Sequence, residues 1–220
     1  MDDAYILRHV DHTLLTPTAS RAEIEKLCNE ALNYSMASVC IPPCYVGRIR
    51  KLFPILNVCT VIGFPLGYDA PSIKEAHARA VIDTGADELD MVVNITDVKN
   101  GLFVEIEAEI AALKKIAGPR VLKVIVETCY LDQQEKISLC RVVTNAGADY
   151  IKTSTGFGTA GATVEDVLLF KEHIGPNVKI KASGGIRTRE DMVALLEAGS
   201  TRLGMSSAVQ LLKSGTAGSY

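Results

Sequence analysis

Thr84-Gly85-Ala86-Asp87, Ala146-Gly147-Ala148-Asp149 and Ala198-Gly199-Ser200-Thr201 are three versions of one joint. Each closes a stretch of helical periodicity and opens a short apolar run. A glycine just past a helix supplies the left-handed residue that ends it, so each joint reads helix, turn, strand. A repeated joint implies a repeated βα unit, whose strands lie parallel and are linked by right-handed crossovers.

Outward from these joints, short β-rich runs alternate with amphipathic stretches along the whole chain. The strands are expected at Val10–His12, Ser38–Cys40, Val58–Ile62, Glu88–Val92, Val121–Ile125, Tyr150–Lys152, Lys179–Ala182 and Arg202–Met205. Helical spacing places helices at Arg21–Asn33, Tyr45–Leu52, Ser72–Thr84, Phe103–Ile116, Gln133–Asn145, Val164–Ile174, Arg189–Glu197 and Ser206–Lys213. Asp132 with Glu135 resembles a capping box, and Thr163 with Asp166 is a weaker version. Eight strands, each followed by a helix, fit a (β/α)8 TIM barrel, a single α/β domain over residues 1–220. An open doubly wound sheet would place a glycine-rich turn after the first strand. Asp11-His12-Thr13-Leu14-Leu15-Thr16-Pro17 stands there instead, which favours the barrel. The Gly/Ser-rich end, about residues 214–220, is expected to be mobile.

Composition narrows the function. The 220 residues are 48% hydrophobic and 22% charged with a net charge of −3, an ordinary balance for a globular protein. Nucleic-acid binding needs a basic excess, which is missing. No apolar run is long enough for a membrane span, and the acidic start Met1-Asp2-Asp3 does not resemble a signal peptide. Of the six cysteines only Cys40 and Cys44 are close together, without the second pair a zinc ribbon needs. Reduced, mostly buried thiols in a cytoplasmic protein are the expectation. The four histidines show no metal-ligand spacing, and Asp11-His12 reads as a structural histidine rather than a metal site.

In this fold the catalytic groups sit at the C-terminal ends of strands. Polar residues ending or interrupting apolar strands are therefore the candidates: Asp11, His12, Cys40, Asp90, Asn94, Lys123, Glu127, Lys152, Lys179 and Lys181. Lysine is rarely buried, yet Lys123, Lys152 and Lys181 lie in three successive strands, 29 residues apart each time. That register aims three amines at one mouth. A lysine attacks a carbonyl only when neutral, and at its reference pKa only about one in 2,500 is neutral at pH 7. A neighbouring cation and removal from water both lower that pKa. One amine to form a Schiff base, a second to activate it and a carboxylate to move protons make a coherent site. Asp90 breaks an apolar run and is expected to point inward, as a proton relay or as an ion-pair partner of Lys123 or Lys152. Asp87 and Glu88 are expected at the solvated strand entrance.

Two further segments suit an anion: Gly184-Gly185 after the seventh strand, and Gly204-Met205-Ser206-Ser207, read as opening the last helix. Loops after strands seven and eight form the usual phosphate site of such barrels. Thr153-Ser154-Thr155-Gly156 adds donors. The chemistry reads as a phosphorylated carbonyl compound handled by an amine.

These motifs resemble the deoxyribose-phosphate aldolase family of Schiff-base aldolases. The resemblance rests on Asp11-His12-Thr13-Leu14-Leu15, Val39-Cys40-Ile41-Pro42, Val61-Ile62-Gly63-Phe64-Pro65-Leu66-Gly67 and Glu88-Leu89-Asp90-Met91-Val92. It continues through Lys123-Val124-Ile125-Val126-Glu127-Thr128, Ile151-Lys152-Thr153-Ser154-Thr155-Gly156, Lys181-Ala182-Ser183-Gly184-Gly185-Ile186-Arg187 and Gly204-Met205-Ser206-Ser207. It implies the same barrel and the reversible cleavage of 2-deoxy-D-ribose 5-phosphate to acetaldehyde and D-glyceraldehyde 3-phosphate, within deoxyribonucleoside catabolism. By that resemblance Lys152 forms the Schiff base, Lys181 lowers its pKa, Asp90 relays protons and Lys123 completes the polar site. Asp11, Thr13, Cys40, Thr155, Gly156, Gly184, Gly185, Gly204, Ser206 and Ser207 would meet the substrate, and the terminal Tyr220 would shuttle protons, as suggested for some relatives. No metal or other cofactor is implied, and a homodimer or homotetramer is. Phe157 stands where some members carry lysine, which removes a cationic phosphate clamp from that loop.

Overall fold

The computed structural model describes residues 1–214. Eight strands, β1 (Val10–Thr13), β2 (Ser38–Cys40), β3 (Val58–Ile62), β4 (Glu88–Val92), β5 (Val121–Ile125), β6 (Tyr150–Lys152), β7 (Lys179–Ser183) and β8 (Arg202–Met205), close into a barrel in sequence order. Every neighbouring pair is parallel, including β1 with β8. The strands agree with the sequence reading except that β1 and β7 each run one residue further. The expected mobile tail and Tyr220 fall outside the described residues, apart from Ser214.

The helices are α1 (Asp3–Leu7), α2 (Arg21–Asn33), α3 (Val46–Leu52), α4 (Pro71–Thr84), α5 (Ile95–Lys99), α6 (Phe103–Ala117), α7 (Gln133–Asn145), α8 (Val164–His173), α9 (Arg189–Ala198) and α10 (Ala208–Ser214). Capping boxes start α2 (Ser20 with Glu23), α7 (Asp132 with Glu135) and α9 (Thr188 with Asp191), and Thr163 caps α8. Each such cap is worth about 1 kcal/mol. Gly85, Gly147 and Gly199 all take positive φ, at 110°, 73° and 127°, so the repeated joint turns as its sequence requires.

Strand alternation sorts side chains between two interiors. One set, including Val39, Ile62, Leu89, Met91, Val124, Ile151 and Leu203, packs against the helices in the main apolar core. The other set faces the barrel axis. Barrels of this kind usually fill that axis with bulky aliphatic layers. Here Asp11, Ser38, Glu88, Asp90, Lys123, Lys152, Lys181 and Arg202 meet across it, beside a small apolar group of Cys40, Cys59 and Val61.

Candidate active site

Asp90 is the meeting point. It sits mid-β4, fully buried, and its Oδ2 accepts hydrogen bonds from Lys152 Nζ of β6 at 2.7 Å and Lys181 Nζ of β7 at 2.8 Å. Its Oδ1 accepts from Lys123 Nζ of β5 at 2.9 Å and from Cys59 Sγ at 3.1 Å. The 29-residue spacing therefore does bring three amines together, because Lys152 and Lys181 are cross-strand partners and Asp90 is level with Lys123.

A second tier fixes the first. Lys181 also reaches Asp11 Oδ2 at 2.5 Å. Lys123 reaches Glu88 Oε2 at 2.5 Å and Asp11 Oδ2 at 3.6 Å. Arg202 bridges the two carboxylates, touching Asp11 Oδ1 and lying 3.0 Å from Glu88 Oε1. Ser38 Oγ donates to Asp11 at 2.8 Å and Asn57 Nδ2 to Glu88 at 2.7 Å. Glu88 corrects the sequence reading: it is buried at the barrel axis, not solvated. It lies two residues from Asp90, on the same face of β4, and its charge is met by Lys123 and Arg202. Asp87 does sit at the strand entrance, paired with Arg50.

The electrostatics follow from this lattice of contacts. Burial works against the carboxylate of Asp90, but Lys123, Lys152 and Lys181 outweigh it and hold its pKa well below the ordinary range. Asp11 behaves likewise, burial being outweighed by Lys181, Lys123 and Arg202. Glu88 is lowered against burial by Lys123 and Arg202. For Lys123 and Lys181 burial also opposes the charge. The surrounding carboxylates, Asp90 foremost for Lys123 and Asp11 foremost for Lys181, nevertheless raise both pKa values. Arg202 is raised too, against burial, by Asp11 and Glu88. Three held carboxylates (Asp11, Glu88, Asp90) thus face three held cations (Lys123, Lys181, Arg202), and the charges cancel without Lys152. Lys152 contacts one carboxylate, whereas Lys181 contacts two and Lys123 three.

The loop after Lys152 is fastened on both sides. Glu127, past the end of β5, takes the left-handed conformation at φ 53°, strain of order 1 kcal/mol for a side chain that is not glycine. Its carboxylate accepts the Thr155 N–H at 3.2 Å and the Thr155 hydroxyl. Thr155 thus spends both donors on Glu127, while its oxygen takes the Phe157 N–H at 3.0 Å. On the other side Thr153 Oγ1 donates to Ser183 O at 3.2 Å, and Ser183 Oγ donates to Ser154 O at 2.6 Å. The Ser154 hydroxyl is buried without a partner of its own.

Gly204 has a definite reason to be glycine. A Cβ there would stand 2.8 Å from Ser183 Cβ and 3.0 Å from Lys181 Cε, so the bare backbone of β8 leaves room for the stem of Lys181. Gly184 and Gly185 both need positive φ, at 77° and 73°, and turn the chain at the rim. Ser206 is exposed and Ser207 half-buried, but neither is helical. Ser207 O accepts the Leu211 N–H at 2.9 Å, so α10 starts at Ala208, two residues later than expected.

Of the remaining candidates, Cys40 is buried in register with Cys59, and Thr13 Oγ1 donates to Asp11 O at 2.7 Å. His12 points to α2, where Nε2 lies 2.8 Å from Glu30. Asn94 caps α5 through its side chain, and Lys179 is exposed. Phe157 packs edge-to-face on Phe64, centroids 5.3 Å apart, so a ring occupies the loop position considered for a cation. Sequence reasoning missed Arg202, Cys59 and Ser38.

The residues just described lie within a region that matches a known family. The profile described as "DeoC/LacD family aldolase" matches residues 5–213. A protein of Clostridium botulinum (strain Alaska E43 / Type E3) named deoxyribose-phosphate aldolase is 56% identical over 214 residues, 97% of each chain. One of the same name from Clostridioides difficile (strain 630) is 54% identical over 210 residues, 95% of this chain and 96% of the other. Among solved structures, the deoxyribose phosphate aldolase of Aeropyrum pernix, described as tetrameric, superposes with a TM-score of 0.90 at 33% identity, covering 97% of this chain and 92% of that one.

Proposed function

The chain belongs to the DeoC/LacD family of aldolases, and from that premise we propose that it reversibly cleaves 2-deoxy-D-ribose 5-phosphate to acetaldehyde and D-glyceraldehyde 3-phosphate through a Schiff base on Lys152. The observation that carries this reading is the sharing of one Asp90 oxygen by Lys152 and Lys181, at 2.7 and 2.8 Å, with all three side chains buried.

The nucleophile must be an amine with a free lone pair. Buried charges are costly unless paired, and Lys152 has one carboxylate contact where Lys181 has two and Lys123 three. The lone pair of Lys152 Nζ attacks C1 of the open-chain sugar, giving a carbinolamine, and loss of water gives an iminium. The C3 hydroxyl then yields its proton to a base, the C2–C3 bond breaks, and its electron pair flows into the iminium to leave an enamine. Glyceraldehyde phosphate departs. Protonation of the enamine at C2 restores an iminium, and the water lost earlier is regained in releasing acetaldehyde.

Asp90 is the carboxylate in contact with Lys152 and is assigned the proton relay, acting through water. Lys181 stays charged and discourages a proton on Lys152. Lys123, tied to three carboxylates, positions Asp90 rather than moving protons. Asp11 holds Lys181 from below. The turn at Gly184-Gly185 and the serines Ser206 and Ser207 are the proposed phosphate contacts, while Thr13, Cys40, Thr155 and Gly156 line the approach. With this activity the protein serves deoxyribonucleoside catabolism, as a homo-oligomer in the cytoplasm.

Borohydride reduction in the presence of acetaldehyde, followed by peptide mapping, tests the assignment. An ethyl group on Lys152 is expected. A tag on another lysine, or none from a preparation that releases glyceraldehyde phosphate from the sugar, overturns it.

A further inference from the structure

Cys40 and Cys59 are register partners on β2 and β3, both fully buried and both turned to the barrel axis beside Asp90. The cleavage chemistry above needs neither thiol as nucleophile or acid. Among the described residues, the two sulfurs and one Asp90 oxygen form the cluster of potential metal ligands, all within 4.8 Å of one another. Cys59 Sγ is already 3.1 Å from Asp90 Oδ1.

A tetrahedral zinc with bonds of about 2.3 Å to sulfur and 2.1 Å to oxygen spaces its ligand atoms about 3.6–3.8 Å apart. No edge of the triangle here therefore needs to change by more than about 1 Å to hold such an ion, the Cys59–Asp90 edge lengthening and any longer edge shortening. Two sulfurs and one oxygen select a soft or borderline divalent cation over magnesium or calcium. Charge does not forbid the ion. Two thiol protons leave as a divalent cation enters, so the balanced cluster gains no net charge. Lys123 Nζ, 3.3 Å from Cys59 Sγ, faces the sulfur that would become a thiolate. The partly buried Leu15 and Phe64, which follow β1 and β3 in the chain, pack against this group.

We infer that Cys40, Cys59 and Asp90 form a binding site for a thiophilic divalent cation such as Zn²⁺ or Cd²⁺. The ion is not a cofactor in this role. It takes the carboxylate that Lys152 and Lys181 share, so its site is an inhibitory one built into the catalytic floor.

The test is a titration of the full-length, freshly reduced protein with Cd²⁺ alone, read by the ultraviolet cadmium–thiolate band and by calorimetry. One ion per chain and the absorbance of two thiolates are expected. Cys59→Ala and Cys40→Ala should each lose at least half of the band and bind at least tenfold more weakly. The double variant Cys44→Ala/Cys129→Ala, which removes an exposed and a half-buried thiol, should titrate like the parent. A full band in either Cys59→Ala or Cys40→Ala, loss of the band in the double variant, or no saturable band in the parent overturns the proposal. The readout needs no turnover, so its failure leaves the aldolase assignment standing.

Discussion

Among the described residues four lysines are buried, and they fall into two regions. Lys74 on α4 lies outside the barrel, donating to Glu109 of α6 and to Val92 O, both at 3.0 Å. Lys123, Lys152 and Lys181 lie inside it, around Asp90. The outer pair is self-contained: one amine, one carboxylate and one backbone carbonyl. Its carboxylate is pushed up, because burial of Glu109 exceeds what Lys74 returns. Inside the barrel several cations share each carboxylate, and Asp11, Glu88 and Asp90 are all pulled down. Burial alone therefore does not mark a working lysine. On the proposed function, what sets the barrel lysines apart is competition of several amines for one carboxylate.

The largest expected effect separates the regions by activity. Lys152→Leu should lower kcat for deoxyribose 5-phosphate cleavage by about 10⁴-fold or more, as loss of a covalent nucleophile does. Lys74→Met, assayed where it is still folded, should stay within about threefold of the parent, because Lys74 meets no group of the Asp90 cluster. A coupled assay for glyceraldehyde phosphate measures both, and a comparable collapse in the two variants would erase the distinction.

The outer pair should show itself in stability. Lys74→Met strands Glu109 against apolar surroundings, and removing one partner of a buried pair costs about 3 kcal/mol. Replacing both, Lys74→Met with Glu109→Leu, should recover most of that loss, since an apolar pair of similar volume is often neutral. Urea midpoints of the three proteins decide it. A double variant no more stable than the single one would mean that the pair is needed for packing rather than for mutual charge.

The third contrast lies within the barrel. Lys181→Leu removes a fixed cation beside Lys152 and leaves Asp11 and Asp90 with less positive charge around them. Both changes favour an ammonium at Lys152, so the acid limb of the kcat/KM profile should move to higher pH, by about one unit for each 1.4 kcal/mol of lost repulsion. Lys181→Arg keeps the charge and should hold the limb near its original place. If both variants lose rate equally at every pH, Lys181 acts by shape and not by charge.

The eight strands were legible because parallel strands buried on both faces read as short apolar runs, and because three glycine joints repeat in register. Lysines 123, 152 and 181 were legible for the opposite reason: a charged residue in such a run is conspicuous. Glu88 was misread through its neighbour. Asp87 does face solvent, but alternation puts Glu88 on the face of Asp90, and only the contacts with Lys123 and Arg202 show that its charge is met. Arg202, Cys59 and Ser38 carried no local signal, since each matters through strands far away in sequence. The five-residue helices α1 and α5 are too short to display a helical period. Their traces in the sequence are the caps alone, Asp2 and Asn94, and Asn94 reads there as a strand-end candidate.

The smallest effect tests the electrostatic contrast directly, through the slope of stability with pH. Asp90, Asp11 and Glu88 have folded pKa values below their unfolded ones. They contribute stability above the ordinary carboxylate range and lose it as pH falls through and below that range. Glu109 has the opposite sign. Its folded pKa lies above 4.5, so the native state holds that proton more tightly than the unfolded chain does. Its contribution is most favourable below the unfolded value and declines as pH rises through the folded one. Relative to Glu109→Gln, which cannot titrate, the parent should therefore lose stability as pH rises above about 4.5. Relative to Asp90→Asn, it should gain as pH rises out of the acid range. Denaturant midpoints at a series of pH values give both differences. Parallel curves for the two substitutions would show that the outer pair and the barrel cluster titrate alike, and would remove the physical ground for treating one lysine as scaffold and another as nucleophile.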